Sequence, residues 1–198
     1  MKNFLSLCLT ICATVILSTG CGLVEQESDA PVIKYAKLSV TAPESAEPVE
    51  VELTQGTCTN DVDTGFFSGS FSAPDGTALT LKIKGFSTSG ASYACSQATN
   101  NTEGAVGNKF DGCTVELALP DAETSVNTYA MHRDVEGTKA FTYAGDCALT
   151  ISYEDPRVLG TVECSGLVQT ELQGSPRNPI DESVTASINE ASTFFCDL

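Results

Sequence analysis

From Cys147 to Tyr153 the chain alternates: Cys147, Leu149, Ile151 and Tyr153 are separated by the small or hydroxylated Ala148, Thr150 and Ser152. A period of two puts one set of side chains on one face of an extended backbone, so a segment of this kind folds as a strand with one buried face. The pattern recurs. Val49, Val51 and Leu53 alternate with Glu50 and Glu52; Leu79, Leu81 and Ile83 with Thr80, Lys82 and Lys84; Cys113, Val115, Leu117 and Leu119 with Thr114, Glu116 and Ala118. Ile33–Thr41, Phe66–Ala73, Ala140–Tyr143, Val158–Leu167, Val184–Ile188 and Thr193–Cys196 are further strand candidates. No stretch carries an apolar stripe of helical period. The best helix candidate, Ala122–His132, reads equally well as a strand with Asn127, Tyr129 and Met131 on one face. About ten short strands separated by Gly, Asn, Asp and Pro turns imply an all-β fold, an antiparallel β-sandwich or barrel-like domain over residues 32–198.

Two turns are legible. Pro74-Asp75-Gly76 joins two strand candidates as a hairpin, and Asp155-Pro156 joins two others. Two long connections are expected as loops: Ser87–Asn108, rich in small polar residues, and Gln173–Ser183, with two prolines.

The N-terminus has a separate logic. Lys2 is the only charge before Glu25, residues 4–17 form the largely apolar run FLSLCLTICATVIL, and Ser18, Thr19 and Gly20 follow. A charged start, an apolar middle and small residues at the end make a secretory signal over residues 1–20; the run falls short of the roughly 20 apolar residues that span a bilayer. Gly20-Cys21 resembles the lipobox of bacterial lipoproteins. The resemblance implies cleavage before Cys21, diacylglycerol on its sulfur and acylation of the new amine. Ser18 stands where that family usually has an aliphatic residue, with Leu17 one place earlier. The rival is a plain secretory signal cut nearby, for which no good A-x-A-like site exists. Gly22, in place of the aspartate that often retains such proteins at the inner membrane, implies the outer membrane or cell surface. Residues 21–31 then form an acidic tether.

This reading resolves the cysteine count. Of nine cysteines, Cys8 and Cys12 leave with the signal and Cys21 carries lipid. Cys58, Cys95, Cys113, Cys147, Cys164 and Cys196 remain, an even set that an oxidising compartment closes into three disulfides. Register pairs two of them. With a turn centred on Asp155-Pro156, Tyr153 faces Val158, Ile151 faces Gly160, Leu149 faces Val162, and Cys147 faces Cys164. Loops of two or four residues give the same register; four is expected, since proline cannot supply the positive φ of a type I′ turn. Cys95–Cys113 follows from proximity in the chain alone, which leaves Cys58–Cys196. The segment Cys147–Leu167 and a closing strand ending in Cys196 are similar to small bacterial surface lipoproteins of the mycobacterial nineteen-kilodalton antigen group. That resemblance implies a β-sandwich without known catalysis, and a bond from an early cysteine to the last one.

Loss of the signal removes Lys2 and takes the formal charge from −16 to −17. Such a surface repels nucleic acid, so the expected partners are a membrane, through the lipid, and an unidentified protein or small molecule. No motif implies a cofactor. No two cysteines form CxxC and the only histidine is His132, which argues against a zinc site. His132, beside Arg133-Asp134, is the only candidate base for a serine nucleophile, and no GxSxG elbow is present. Paired carboxylates are a matter of chance among 26 acids, and the chain has no tryptophan to serve a sugar cleft. Asp61-Val62-Asp63-Thr64-Gly65 has the oxygens of a calcium loop but not the closing glutamate. The expectation is a lipid-anchored binding or structural module, not an enzyme. An envelope hydrolase, or a carrier holding an apolar ligand inside a β-fold, are the alternatives.

Overall fold

The computed structural model describes residues 35–95, 112–121, 125–130, 132–136, 140–174 and 177–198, with backbone alone at 132–136, 140–144, 172–174 and 177–179. Every regular element among them is a strand. In chain order these are β1 (Ala36–Thr41), β2 (Val49–Leu53), β3 (Gln55–Asp61), β4 (Phe66–Ser72), β5 (Ala78–Lys84), β6 (Ala91–Ala94) and β7 (Cys113–Pro120). They continue with β8 (Val126–Ala130), β9 (His132–Glu136), β10 (Ala140–Ala144), β11 (Asp146–Glu154), β12 (Arg157–Gly174), β13 (Arg177–Ile188) and β14 (Thr193–Asp197).

All pairings are antiparallel, and they fall into two faces that share β12. One face runs β3-β4-β5-β7-β8 to the C-terminal part of β12; the other runs β6-β11, the N-terminal part of β12, then β14-β1-β2. β13 pairs with both β1 and β12, and β9–β10 form a separate hairpin. Period-two burial sends Phe67, Phe71, Leu79, Leu81, Ile83, Val115 and Leu117 of the first face inward. From the second come Leu38, Leu149, Ile151, Val162 and Phe194. The two sets meet: the Phe71 and Phe194 ring centroids are 5.4 Å apart. This is an antiparallel β-sandwich closed along one side by β12 and β13.

Three disulfides staple it. Cys58–Cys196 joins β3 to β14 across the sandwich, and Cys95–Cys113 ties the end of β6 to the start of β7. Cys147–Cys164 bridges directly opposed residues of β11 and β12, with Cα atoms 4.1 Å apart. The β11–β12 register runs from Asp146 opposite Ser165 to Glu154 opposite Arg157, so the connection is the two residues Asp155-Pro156 and not four. Its peptide bond is cis, the arrangement of proline at the third position of a type VI turn, a geometry outside the I′ family. The β4–β5 hairpin uses Pro74-Asp75-Gly76 as its composition implies. The Asp75 carboxylate accepts from the Thr77 amide at 2.9 Å, and Gly76 supplies φ +95°.

Three strands went unread, and two expected loops are partly strand. Gln55–Asp61 (QGTCTND) has no apolar alternation, yet β3 pairs along its whole length with β4. Ala91–Ala94, inside the expected loop 87–108, is held by β11; residues 96–108 of that loop lie outside the described residues. His132–Glu136 forms β9. In the expected loop 173–183, β12 runs on to Gly174 and β13 starts at Arg177, with Pro179 opposite Thr170 where the register shifts. Such irregular pairing tolerates a residue without an amide hydrogen. Ala122–His132 resolves as strand over Val126–Ala130.

β12 changes faces at Gly166, and the crossing depends on two glycines. Gly145 (φ +85°) and Gly166 (φ +65°) press together, and a Cβ on Gly145 would lie 2.9 Å from the Gly166 carbonyl oxygen. Gly145→Ala combines a left-handed backbone cost of about 1–2 kcal/mol with that collision. It should destabilise by about 2–3 kcal/mol. Gly85→Ala has the same sign of φ but nothing within 4 Å, and should cost only about 1 kcal/mol. Denaturant midpoints of the two variants check the contrast.

Candidate functional site

The residues singled out by sequence separate in space and chemistry. Cys21 lies outside the described residues. Cys58, Cys95, Cys113, Cys147, Cys164 and Cys196 are all consumed in disulfides. His132 opens β9 with its backbone opposite Ala144; its side chain lies outside the described residues. Among the described residues no three His, Cys, Asp or Glu side chains are grouped closely enough to hold a metal ion.

The acidic turn 61–65 uses its first carboxylate internally. Asp61 Oδ1 accepts from the amides of Asp63 (3.1 Å) and Thr64 (3.3 Å), and the Gly65 amide closes the turn onto the Asp61 carbonyl at 2.8 Å. The Thr64 side chain foremost, then its amide and that of Asp63, hold the Asp61 carboxyl below the usual aspartate range. Asp181 is lowered in the same way by the Ser183 hydroxyl and amide. Both therefore stabilise the fold above the ordinary aspartate pKa of about 4, and that contribution is lost as pH falls through their lower folded values. The thermal midpoint should fall less steeply below about pH 4 in an Asp61→Asn/Asp181→Asn variant than in the parent. Parallel slopes would show that neither turn is linked to folding.

A concave feature instead lies on the outside of the second face. Outward-pointing residues there form rows set by register. Thr150 (β11) lies opposite Thr161 (β12), and Thr161 opposite Thr193 (β14); one row along, Ser152 faces Leu159 and Leu159 faces Phe195. Neighbouring strands are about 4.8 Å apart, so four hydroxyls frame Leu159 at close, regular spacing. Thr150, Ser152, Leu159, Thr161 and Thr193 enclose a groove of about 270 Å³ over Gly160 and Phe194. Glycine is required beneath it. A Cβ at Gly160 would collide with the Phe194 ring and come within 2.9 Å of Ile151 Cδ1.

The hydroxyl row continues to Ser92 on β6, whose Oγ lies 3.2 Å from Thr150 Oγ1. Its other end meets Lys37, opposite Thr193, which is paired with Glu50 at 2.9 Å. On the far side of Leu159, Phe195 stacks on Tyr35 (centroids 5.4 Å apart) with the Arg157 guanidinium 5.2 Å from its centre. Arg157 Nε in turn donates to Asp197 Oδ1 at 3.0 Å. Nearby charges are thus paired off, and no charged side chain lines the groove. Compared with protein-family models, with curated proteins and with solved structures, the chain matches none.

Proposed function

We propose that this protein is a lipid-anchored surface component of a bacterial envelope, held at the outer membrane or cell surface by acylated Cys21, and that it acts by binding through its exterior without catalysis. The observation that carries the anchor is the apolar run ending in Gly20-Cys21. Two acyl chains, each contributing about 0.8 kcal/mol per buried methylene, hold a domain stably where one does so marginally. Binding through the exterior, and not carriage of a ligand within, is supported by how the space between the sheets is used. Phe67, Phe71, Leu81, Leu117 and Leu149 are all 0 % exposed, and the groove opens on the outer surface instead.

Cys21→Ser should abolish labelling by a palmitate analogue and accumulate uncut precursor. A wild type that takes up no label, and whose mature N-terminus is not residue 21, overturns the anchor. The absence of catalysis has its own test. His132→Gln should leave the folded protein and its envelope phenotype unchanged; loss of a measurable hydrolytic activity with folding intact would establish an enzyme.

A further inference from the structure

We infer that the groove over β11, β12 and β14 is a binding site for one uncharged sugar residue, a neutral hexopyranose or N-acetylhexosamine unit; this deepens the binding-module reading and rests on it, but not on the anchor. Three features of the groove select that chemistry. Its apolar part is the Leu159 side chain, which projects outward beside the backbone of Gly160 and of Phe194, whose ring turns into the core, and it suits the C–H face of a pyranose ring. Its rim is hydroxylated, with Thr150 and Ser152 on β11, Thr161 beside Leu159 on β12 and Thr193 on β14, each able to donate and accept. Among the described residues no side chain takes the hydroxyls of Ser152, Thr161 or Thr193, so these are available to a ligand with hydroxyls around its edge.

Charge and size narrow the class further. The groove holds no charged side chain, and its neighbours Lys37 and Arg157 are paired with Glu50 and Asp197. A chain of net charge −16 adds a field that disfavours acidic sugars and phosphates. A purely apolar ligand would leave the hydroxyls of Ser152, Thr161 and Thr193 without partners, at a cost that a polyol avoids. A volume of about 270 Å³ gives room for one sugar ring within the groove. Phe195 is not the platform: Tyr35 and Arg157 already stack against it.

Affinity for a single ring held in an open groove is expected to be weak, with Kd of about a millimolar, as ligand efficiency for a dozen heavy atoms implies. The test uses the purified full chain and a panel of neutral hexoses, N-acetylhexosamines and their disaccharides, read by saturation-transfer NMR and titration. At least one should bind, and Thr161→Arg, which fills the groove from an exposed position, should weaken it at least tenfold. Thr59→Arg, the same charge change on the other face, should leave it unaltered. If Thr161→Arg fails to fold by circular dichroism, Ser152→Arg takes its place. The inference is overturned if no sugar binds at tens of millimolar, or if binding survives the groove-filling variant. Retention of the labelled chain on envelope fragments from producing cells separates this from the broader reading. Retention without sugar binding sinks the saccharide and leaves the binding module standing; neither retention nor sugar binding sinks both.

Discussion

Replacing Cys58 and Cys196 together by alanine should destabilise the domain by about 5 kcal/mol, the largest loss expected of any single bridge. The bond closes a sequence separation of 138 residues. In the chain-entropy account its removal frees the unfolded chain far more than removal of Cys95–Cys113 or Cys147–Cys164. Their separations are 18 and 17, and each should cost about 3 kcal/mol. The long bridge also joins β3, an edge strand of polar sequence, to β14 in the opposite face. β3 should therefore lose protection first, and hydrogen exchange at Thr57 and Thr59 should quicken beyond the global change. Denaturant midpoints of the three double-alanine variants give the ranking. A long-bridge variant no weaker than the local ones would show that unfolded-chain entropy is not what this bond controls.

Phe71→Ala should cost about 4 kcal/mol, the usual loss for a large aromatic deleted from a close-packed core. Phe71 is 0 % exposed, and its ring reaches from β4 across the sandwich to Phe194. On its own strand it packs beside Gly69, where a Cβ would come within 3.0 Å of Phe71 Cε2. The ring thus lies where both faces meet, and alanine would leave a void that backbone on either side is too constrained to close. For a domain of this size the thermal midpoint should fall by roughly 10 °C. Phe66→Ala is the control: that ring is 36 % exposed on the same strand and should cost much less. Equal losses would mean that Phe71 is not buried between two sheets.

What the residues determined locally survives in the fold. Alternation from Leu79 to Ile83, from Cys113 to Leu119 and from Cys147 to Tyr153 set strand type and inward face, because each requires only that one side of an extended backbone be dry. The β11–β12 register followed from a turn of even length, so Cys147 opposite Cys164 was legible even though the turn itself is two residues and cis. Hydroxyls on Thr150, Ser152 and Thr161 are equally visible in the sequence, but only as the polar half of an alternation.

Tertiary structure decided the rest. Gln55–Asp61 and Ala91–Ala94 became strands because β4 and β11 offered backbone partners, and backbone hydrogen bonding does not read side chains. The crossing of β12 between faces rests on Gly145 meeting Gly166, a contact between backbones 21 residues apart that no local pattern announces. The groove depended on neighbours still more. Thr150, Thr161 and Thr193 come from three strands, and Thr193 reaches the row only because β14 pairs with the outer edge of β12. Periodicity gives a strand its faces; which strands lie side by side is set by non-local pairing, and a surface site assembled from three strands exists only once that pairing is complete.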